Sequence, residues 1–229
     1  MELQVIGTGS SGNAYILRHN KRMLLLDCGT SVDSLYRGLG YDLGSLDGCL
    51  LSHNHADHSK SAAYLQSQYV KFGWNEENKC QHFGDWAFIP FAVEHDVSNY
   101  AYIIQNRQAM EHKVAYITDT GYVRYNPQGI STYIIECNFI DELLKADTDR
   151  LQEEGERYIR SYEYHMSLKR LLSFLGKADL SKLVNVVLVH LSDRYSDEEV
   201  MIAEVKKLTG VQVYAAHAGD LINLEAVPF

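Results

Sequence analysis

Residues 52–58 read Ser-His-Asn-His-Ala-Asp-His and follow the apolar run Gly-Cys-Leu-Leu at 48–51. Each imidazole needs partners for two ring nitrogens, and a carboxylate in a core must be desolvated. Three histidines and an aspartate so close together are therefore poorly suited to an apolar core. Grouped after a strand, the same side chains can converge on cations, because histidine and aspartate are common metal ligands. The stretch predicts a metal site.

The whole sequence has 229 residues, a formal net charge of −9 and 46% hydrophobic residues. We expect a single domain over residues 1–229, because this length allows a sizeable core and leaves little room for a second one. The longest apolar runs, such as 23–26 and 186–189, are far shorter than the roughly 18–20 residues of a membrane span. We expect no leader peptide, no membrane partner and a cytoplasmic location.

The acidic balance weakly favours a small substrate, because a surface with a net charge of −9 repels the phosphates of a long nucleic acid. The segment 141–163 adds to this, with eight acidic residues against four basic ones. A solvated helix face is the default interpretation of that segment. The four cysteines have no CxxC spacing, so the sequence predicts neither a disulfide framework nor a cysteine zinc site.

Short β-like runs fill the first 136 residues, and longer helical stretches come afterwards. Strands are predicted at 3–7, 14–18, 22–27, 48–52, 88–93, 100–104, 114–118, 132–136 and 184–189, with two more near the end of the chain. Helices are predicted at 31–39 with Ser31 as the cap, at 58–68, over 139–176 and from Ser196. Strands followed by alternating helices and strands favour sheets with helices packed outside them.

The pattern His-x-His-x-Asp-His after an apolar strand resembles the signature of the metallo-β-lactamase-fold hydrolases. Matching elements follow along the chain: Asp27 in LLLDCG, His95 in AVEHD, Asp119 in YITDTG and His190 in VVLVHLS. The resemblance implies an α/β fold, an αββα sandwich of two mixed β-sheets flanked by helices. It also implies that Asp27 braces the histidine loop rather than binding metal.

The same resemblance implies two Zn²⁺ ions per chain, with Mn²⁺ as the alternative. The implied ligands are His53, His55 and His95 for one ion, Asp57, His58 and His190 for the other, and Asp119 for both. Taken alone, His95 or His190 has a plainer interpretation as a surface or structural histidine. Beside the cluster at 53–58, however, two cations of this kind require further ligands from elsewhere in the chain.

Two local features resemble the ribonuclease Z-like branch of the family: HLSDRY at 190–195 and the run TYIIECNF at 132–139. Both imply phosphodiester hydrolysis by a hydroxide shared between the ions. His165 lies 25 residues before His190, where that branch places a histidine that assists the leaving oxygen; a helix-surface histidine is the alternative. The resulting candidates are Asp57, Asp119 and His165 as catalytic residues and Ser192 and Arg194 as substrate-binding residues. A loop brace is the alternative for Arg194.

The substrate prediction depends on size and charge. The run GTGSSGNAYIL at 7–17 resembles a compact, exonuclease-like group of the family, and no Gly/Pro-rich insertion resembles the arm with which ribonuclease Z grips transfer RNA. The resemblance to phosphodiesterases that destroy cyclic nucleotide signals predicts a small, cyclic nucleotide as substrate. A nuclease acting on single-stranded DNA or RNA is the alternative. The intact ligand set disfavours a binding protein without catalytic activity. The sequence also predicts a homodimer, because compact members of the family it resembles pair about a two-fold axis.

Overall fold

The computed structural model describes residues 1–73, 77–147, 155 and 162–225. Its described part is built mainly of β-strands. In chain order these are β1 (Glu2–Gly7), β2 (Ala14–His19), β3 (Arg22–Leu26), β4 (Leu46–Leu50), β5 (Phe72–Gly73), β6 (Gln81–Phe83), β7 (Trp86–Val93), β8 (Asn99–Asn106), β9 (Ala109–Ile117), β10 (Thr132–Glu136), β11 (Asn185–Val189), β12 (Gln212–Ala215) and β13 (Leu221–Asn223).

The strands form two mixed sheets. One sheet has the order β13-β1-β2-β3-β4-β5, and the other has the order β12-β11-β10-β9-β8-β7-β6. In the first sheet β3, β4 and β5 run parallel, whereas β13, β1, β2 and β3 pair antiparallel. In the second sheet β9 to β12 run parallel and β6 to β9 pair antiparallel. Parallel pairing brings the carboxyl ends of neighbouring strands to the same edge.

The helices are short and lie between strands. They are α1 (Val32–Gly38), α2 (Ala56–Ser59), α3 (Ala62–Ser67), α4 (Asp141–Ala146), α5 (Leu168–Leu175) and α6 (Glu198–Thr209), with a 3-10 turn at Leu43–Ser45. Ser31, Ser167 and Asp197 cap α1, α5 and α6 by accepting a hydrogen bond from a backbone N–H of the first turn. None of the described helices has the length and apolar character needed to cross a membrane.

Three apolar layers hold the molecule together. The layer between the sheets contains Leu3, Tyr15, Leu24 and Leu26 from the first sheet and Trp86, Phe88, Tyr102, Val114 and Tyr116 from the second. The outer face of the second sheet is covered by α5 and α6, whose Leu171 and Met201 are fully buried. The outer face of the first sheet is covered by Leu35, Leu39 and Leu65. This arrangement is the αββα sandwich of two mixed sheets that the resemblance implies.

The predicted helix at 58–68 is wrong in one respect, because it is broken between α2 and α3. The backbone of Ser61 leaves the helical conformation and its N–H donates to the carbonyl of Cys28 at 3.0 Å. The Ser61 hydroxyl also donates to the carbonyl of Thr30 at 2.7 Å. These bonds to the loop after β3 replace the helical bonds, and they tie the histidine stretch to that loop.

The predicted helical region 139–176 is likewise interrupted. Phe139 and Ser167 form an isolated parallel bridge, so α4 and α5 are separate helices. Most of the acidic segment 141–163, interpreted as a solvated helix face, lies outside the described residues. The short strands β5 and β6 have no counterpart in the sequence prediction. At two and three residues, they are too short to give a period-2 pattern.

Candidate metal centre

The functional side chains lie at one edge of the sandwich, where parallel strands end. Asp27 directly follows β3, and the stretch 52–58 follows the neighbouring β4. Asp119 and His190 lie just beyond β9 and β11, which flank β10 in the second sheet. The strand register therefore brings segments together that are up to about 160 residues apart in sequence.

Three histidines form the first ligand group. His53 Nε2 lies 3.0 Å from His55 Nδ1, and the same Nδ1 lies 3.2 Å from His95 Nε2. His95 reaches this point from the turn between β7 and β8. Two ligand nitrogens bound tetrahedrally at 2.0–2.1 Å from one Zn²⁺ lie roughly 3.4 Å apart. The three nitrogens are therefore spaced as ligands of one cation, and they converge within 4.8 Å of one another.

The second ligand group contains Asp57, His58, Asp119 and His190. Asp57 Oδ2 lies 3.5 Å from the Nε2 atoms of both His58 and His190. Asp119 Oδ1 lies 3.2 Å from His58 Nε2 and 3.8 Å from His190 Nε2. Its other oxygen, Oδ2, lies 3.8 Å from His53 Nε2 of the first group. One carboxylate therefore faces both groups, with a different oxygen toward each.

Asp27 holds the second group from behind. Its Oδ2 accepts from His58 Nδ1 at 2.7 Å, from the Ser52 hydroxyl at 2.8 Å and from the Tyr116 hydroxyl at 2.6 Å. The Ser52 N–H donates to Oδ1 at 2.7 Å. With Nδ1 of His58 occupied, its Nε2 is left to face the cation position. This is the bracing role that the resemblance implies for Asp27.

Glu136, at the end of β10, plays a similar part for two other histidines. Its Oε1 accepts from His190 Nδ1 at 3.0 Å and from His165 Nδ1 at 2.6 Å, while its Oε2 accepts from the N–H groups of Thr120 and Met166. The rings of His165 and His190 stack at 5.3 Å with an interplanar angle of 9°. His165 therefore lies beside the second group rather than on a free helix surface.

The residues present fit a pair of divalent cations. His190 Nε2 is buried and has no hydrogen-bond partner among the described residues, although it points at two carboxylates. A buried polar atom in this position is costly unless something binds it. Imidazole nitrogens and carboxylate oxygens are the donor set of Zn²⁺, and they also suit Mn²⁺. Both groups can therefore hold a metal ion.

Comparison with known proteins agrees with this geometry. The family model of the metallo-β-lactamase superfamily matches residues 7–115. The metallo-β-lactamase fold protein YhfI of Bacillus subtilis superposes with a TM-score of 0.72, at 20% identity, over 97% of this chain and 99% of that protein. Human tRNase Z, short form, superposes with a TM-score of 0.61, at 12% identity, over 98% and 100%. The chain therefore has the metallo-β-lactamase fold, and just under half of it matches the family model. These similarities support a metal-dependent hydrolase.

Characterised relatives of this metallo-β-lactamase-fold chain cover only part of it. Exodeoxyribonuclease YycJ of Bacillus anthracis is 28% identical over 178 residues, 63% of this chain and 66% of that protein. Exodeoxyribonuclease WalJ of Streptococcus pneumoniae is 28% identical over 206 residues, 75% and 70%. Anti-Pycsar protein Apyc1 of Bacillus phage 010DV004 is 45% identical over 65 residues, a quarter of each chain. The matched segments thus span about two thirds of the exodeoxyribonucleases.

The two ligand groups of this metallo-β-lactamase-fold protein differ in electrostatics. Burial lowers the pKa of His53 to about 2 and also lowers the pKa of His95. Burial acts in the same direction on His190, but the nearby carboxylates of Asp119, Asp57 and Glu136 outweigh it and raise that pKa to about 10. His53 and His95 therefore present neutral nitrogens, whereas the carboxylates of the second group favour positive charge.

Three site residues adopt a backbone conformation that L-residues rarely adopt. Asp27, Asp119 and His190 have φ values of 56°, 50° and 54°, and each lies within two residues of the end of a strand. Two asparagines hold these turns. Asn99 Nδ2 donates to the carbonyls of Thr118 and Asp119 at 3.0 and 2.7 Å, and Asn138 Nδ2 donates to the carbonyl of His190 at 2.7 Å.

Sequence reasoning missed Asn99, Asn138 and the role of Glu136. Glu136 had a signal, since it is an acidic residue at the end of an apolar strand, as Asp27 is. The two asparagines had none, because each acts on backbone atoms at least 19 residues away. Their contribution follows from the strand register alone.

The glycine-containing stretch 7–13 forms a tight turn against the site. A Cβ on Gly12 would collide with the carbonyl of Gly29, and a Cβ on Gly29 would collide with the carbonyl of Asp57. Asn13 completes this packing, since its N–H donates to the Asp57 carbonyl at 2.7 Å and its Nδ2 lies 3.0 Å from His58 Nε2. Larger side chains at these glycines would push the histidine stretch away from the other candidate ligands.

The two candidate substrate-binding residues lie in the turn after His190. The Ser192 hydroxyl accepts from the backbone N–H groups of Arg194 and Tyr195 at 3.3 and 3.2 Å. The Arg194 guanidinium lies 3.0 Å from Asp147 Oδ2, and the Tyr195 hydroxyl donates to that same oxygen at 2.8 Å. These contacts suit the brace interpretation of Arg194. A substrate contact for either side chain stays a prediction.

Proposed function

We propose that this chain is a phosphodiesterase that uses two divalent cations, Zn²⁺ or Mn²⁺, to hydrolyse a small nucleotide phosphodiester, with a cyclic nucleotide as the preferred substrate. The observation that carries the proposal is the position of Asp119, whose two oxygens face the two ligand groups. A shared carboxylate is what a two-cation centre requires to keep its ions at a fixed, short separation.

The proposed ligands are those that converge in each group. His53, His55 and His95 would hold the first cation, Asp57, His58 and His190 the second, and Asp119 both. Cations held by these residues would lower the pKa of a bound water to about 7 and would neutralise phosphate oxygens. Asp27 and Glu136 orient His58 and His190 for this purpose through the outer ring nitrogens.

His165 is the proposed proton donor to the leaving oxygen. Its Nδ1 is held by Glu136 at 2.6 Å, which directs the remaining ring nitrogen, Nε2, away from that carboxylate. Its ring lies 5.3 Å from the ring of His190 and 5.9 Å from that of His95, next to residues of both groups. A positioned acid in such a place typically contributes 10²–10⁴-fold to the rate.

The preference for a small nucleotide is supported by charge and by one relative. The chain has a net charge of −9, which opposes binding of a long polyanion. Apyc1, named for its action against Pycsar, shares the highest local identity among the relatives described above, 45% over 65 residues.

We also propose that residues 1–229 form one catalytic domain that acts in the cytoplasm as a homodimer.

A nuclease is the second candidate, and the longer alignments favour it. YycJ and WalJ, both exodeoxyribonucleases, match 63% and 75% of this chain, against 25% for Apyc1. The two activities share the same phosphodiester chemistry. The two activities differ in which substrates can pass the rim of the site.

One experiment separates the two candidates. The purified chain, supplied with Zn²⁺ or Mn²⁺, would be assayed on 2′,3′- and 3′,5′-cyclic nucleotides, single-stranded DNA and RNA, and bis-p-nitrophenyl phosphate. We expect cleavage of a cyclic nucleotide to be fastest at equal phosphodiester concentration and to stop on chelation. Faster cleavage of a polymer, with rates that fall steeply as salt rises, would favour the nuclease. A cation-loaded chain that cleaves none of these substrates would overturn both.

A further inference from the structure

Asp96 brings a carboxylate to the edge of the first ligand group. It follows His95 in the turn between β7 and β8. Its Oδ1 lies 3.1 Å from His95 Nε2 and 3.5 Å from His55 Nε2. The side chain is 24% exposed, so it stands at the rim of the site beside His55, whose side chain is 29% exposed.

The distances form a continuous series. His53 Nε2 lies 3.0 Å from His55 Nδ1, and His55 Nδ1 lies 3.2 Å from His95 Nε2. His95 Nε2 in turn lies 3.1 Å from Asp96 Oδ1. Neighbouring ligand atoms of one small divalent cation are separated by about this distance. The carboxylate therefore adjoins the ligand nitrogen of His95 and the outer ring nitrogen of His55 on the solvent side of the group.

We propose that Asp96 supplies a fourth protein ligand to the first cation, in addition to His53, His55 and His95. The proposal rests on the two-cation function proposed above. Without Asp96, the carboxylate that the described residues bring to the three histidines of the first group is the shared Asp119. With Asp96, each group has a carboxylate of its own, since Asp57 already serves the second.

The added charge has two consequences. It strengthens the attraction of the first group for a divalent cation, because a carboxylate interacts more strongly with a positive ion than a neutral group does. It also lowers the net positive charge of the loaded centre by one. Carboxylate oxygen suits Mn²⁺ better than imidazole does, so Asp96 shifts the metal preference of the first group toward the harder ion.

The test compares Asp96→Asn with the wild type in stepwise cation binding. Asparagine keeps the shape of the side chain and an oxygen that can accept from His55 Nε2, but it loses the charge. Metal-stripped proteins would be titrated with Zn²⁺ and with Mn²⁺ by calorimetry. We expect one of the two cations to bind at least about tenfold more weakly in the variant, with a larger loss for Mn²⁺.

Matched variants assign the loss to the correct group. Glu94→Gln removes a neighbouring carboxylate that is paired with Arg124 and lies outside both ligand groups, and it should bind cations as the wild type does. Asp57→Asn should weaken the other binding step. Asp96→Glu, which keeps the charge, should recover part of the affinity that Asp96→Asn loses.

Co²⁺ substitution gives a readout independent of activity. Loss of a ligand oxygen changes the coordination of the first ion, so we expect the visible absorption of the Co²⁺-loaded Asp96→Asn variant to differ from that of the wild type. Unchanged affinities and an unchanged spectrum would overturn the role of Asp96, and would do so while the wild type still binds two cations and cleaves phosphodiesters. A wild type that binds no pair of cations would instead overturn the proposed function itself.

Discussion

The two ligand groups are built from similar side chains but are supported differently. In the second group, the outer nitrogens of His58 and His190 each donate to a buried carboxylate, Asp27 and Glu136. In the first group, His53 Nδ1 meets the Ser52 hydroxyl at 3.0 Å, and His95 Nδ1 is buried without a hydrogen-bond partner among the described residues. The second group is therefore held in place by charge, whereas the first is held by packing and the hairpin between β7 and β8.

The difference has a chemical meaning. A carboxylate behind an imidazole fixes its orientation and makes it a more basic ligand. The second group thus combines basic histidines with two carboxylates, whereas in the first group burial lowers the pKa of His53 to about 2 and also lowers the pKa of His95. A cation in the second group should depend strongly on residues that never touch it. A cation in the first should not.

The largest effect is expected at the residue that both groups share. Asp119→Asn removes the carboxylate charge that faces both cation positions, and a two-cation centre supplies several kcal/mol to the transition state. We expect the rate to fall by about a thousandfold or more. Initial rates with saturating Zn²⁺, together with metal analysis, would measure it. Near-wild-type turnover would mean that the two groups do not act as one centre.

His165 should separate catalysis from cation binding. We expect His165→Ala to lower the rate by roughly 10²–10⁴-fold while both cations stay bound, because the proposed acid is not a ligand. Metal content and single-substrate kinetics on the same protein sample would test this. If the variant lost a cation instead, His165 would be a ligand of the second group, and the separate roles assigned to His165 and His190 would be wrong.

Asp27→Asn should affect the second group alone. Asparagine tolerates the left-handed backbone at this position, so the change removes the charge behind His58 without adding strain. We expect one cation to bind about 10–100-fold more weakly and the other to bind normally. Competition with a chromophoric chelator would measure both steps, with the exposed Asp33→Asn as control. Equal weakening of both steps would contradict the contrast between the groups.

Much of this site was predictable from the sequence, because its parts are local patterns. The stretch 52–58 predicts a cation site by density of ligands alone, and Asp27, Asp119 and His190 each follow an apolar strand. The structure brings all of these side chains to one edge. Their assignment as ligands to particular ions stays a prediction.

What could not be predicted depends on register and on turns. The break after α2 follows from hydrogen bonds between Ser61 and the loop after β3, which no periodicity in 58–68 announces. Asn99 supports the carbonyl of Asp119 from a neighbouring strand. Asp96 stands next to His95 in sequence, yet only the turn geometry places its carboxylate beside His55. Contacts of this kind need the fold before they can be recognised.

The smallest effect is expected at the outer support of the second group, in the turn that follows His190. Arg194 is 57% exposed and pairs with Asp147, and exposed ion pairs contribute about 0.2–1 kcal/mol. Arg194→Ala should therefore lower the melting temperature by no more than roughly 2–4 °C and leave KM for bis-p-nitrophenyl phosphate unchanged. Lys207→Ala, which removes an exposed pair with Glu204 on α6, is the matched control. A tenfold rise in KM with unchanged stability would show instead that Arg194 contacts the phosphate, and the second group would then extend to the substrate itself.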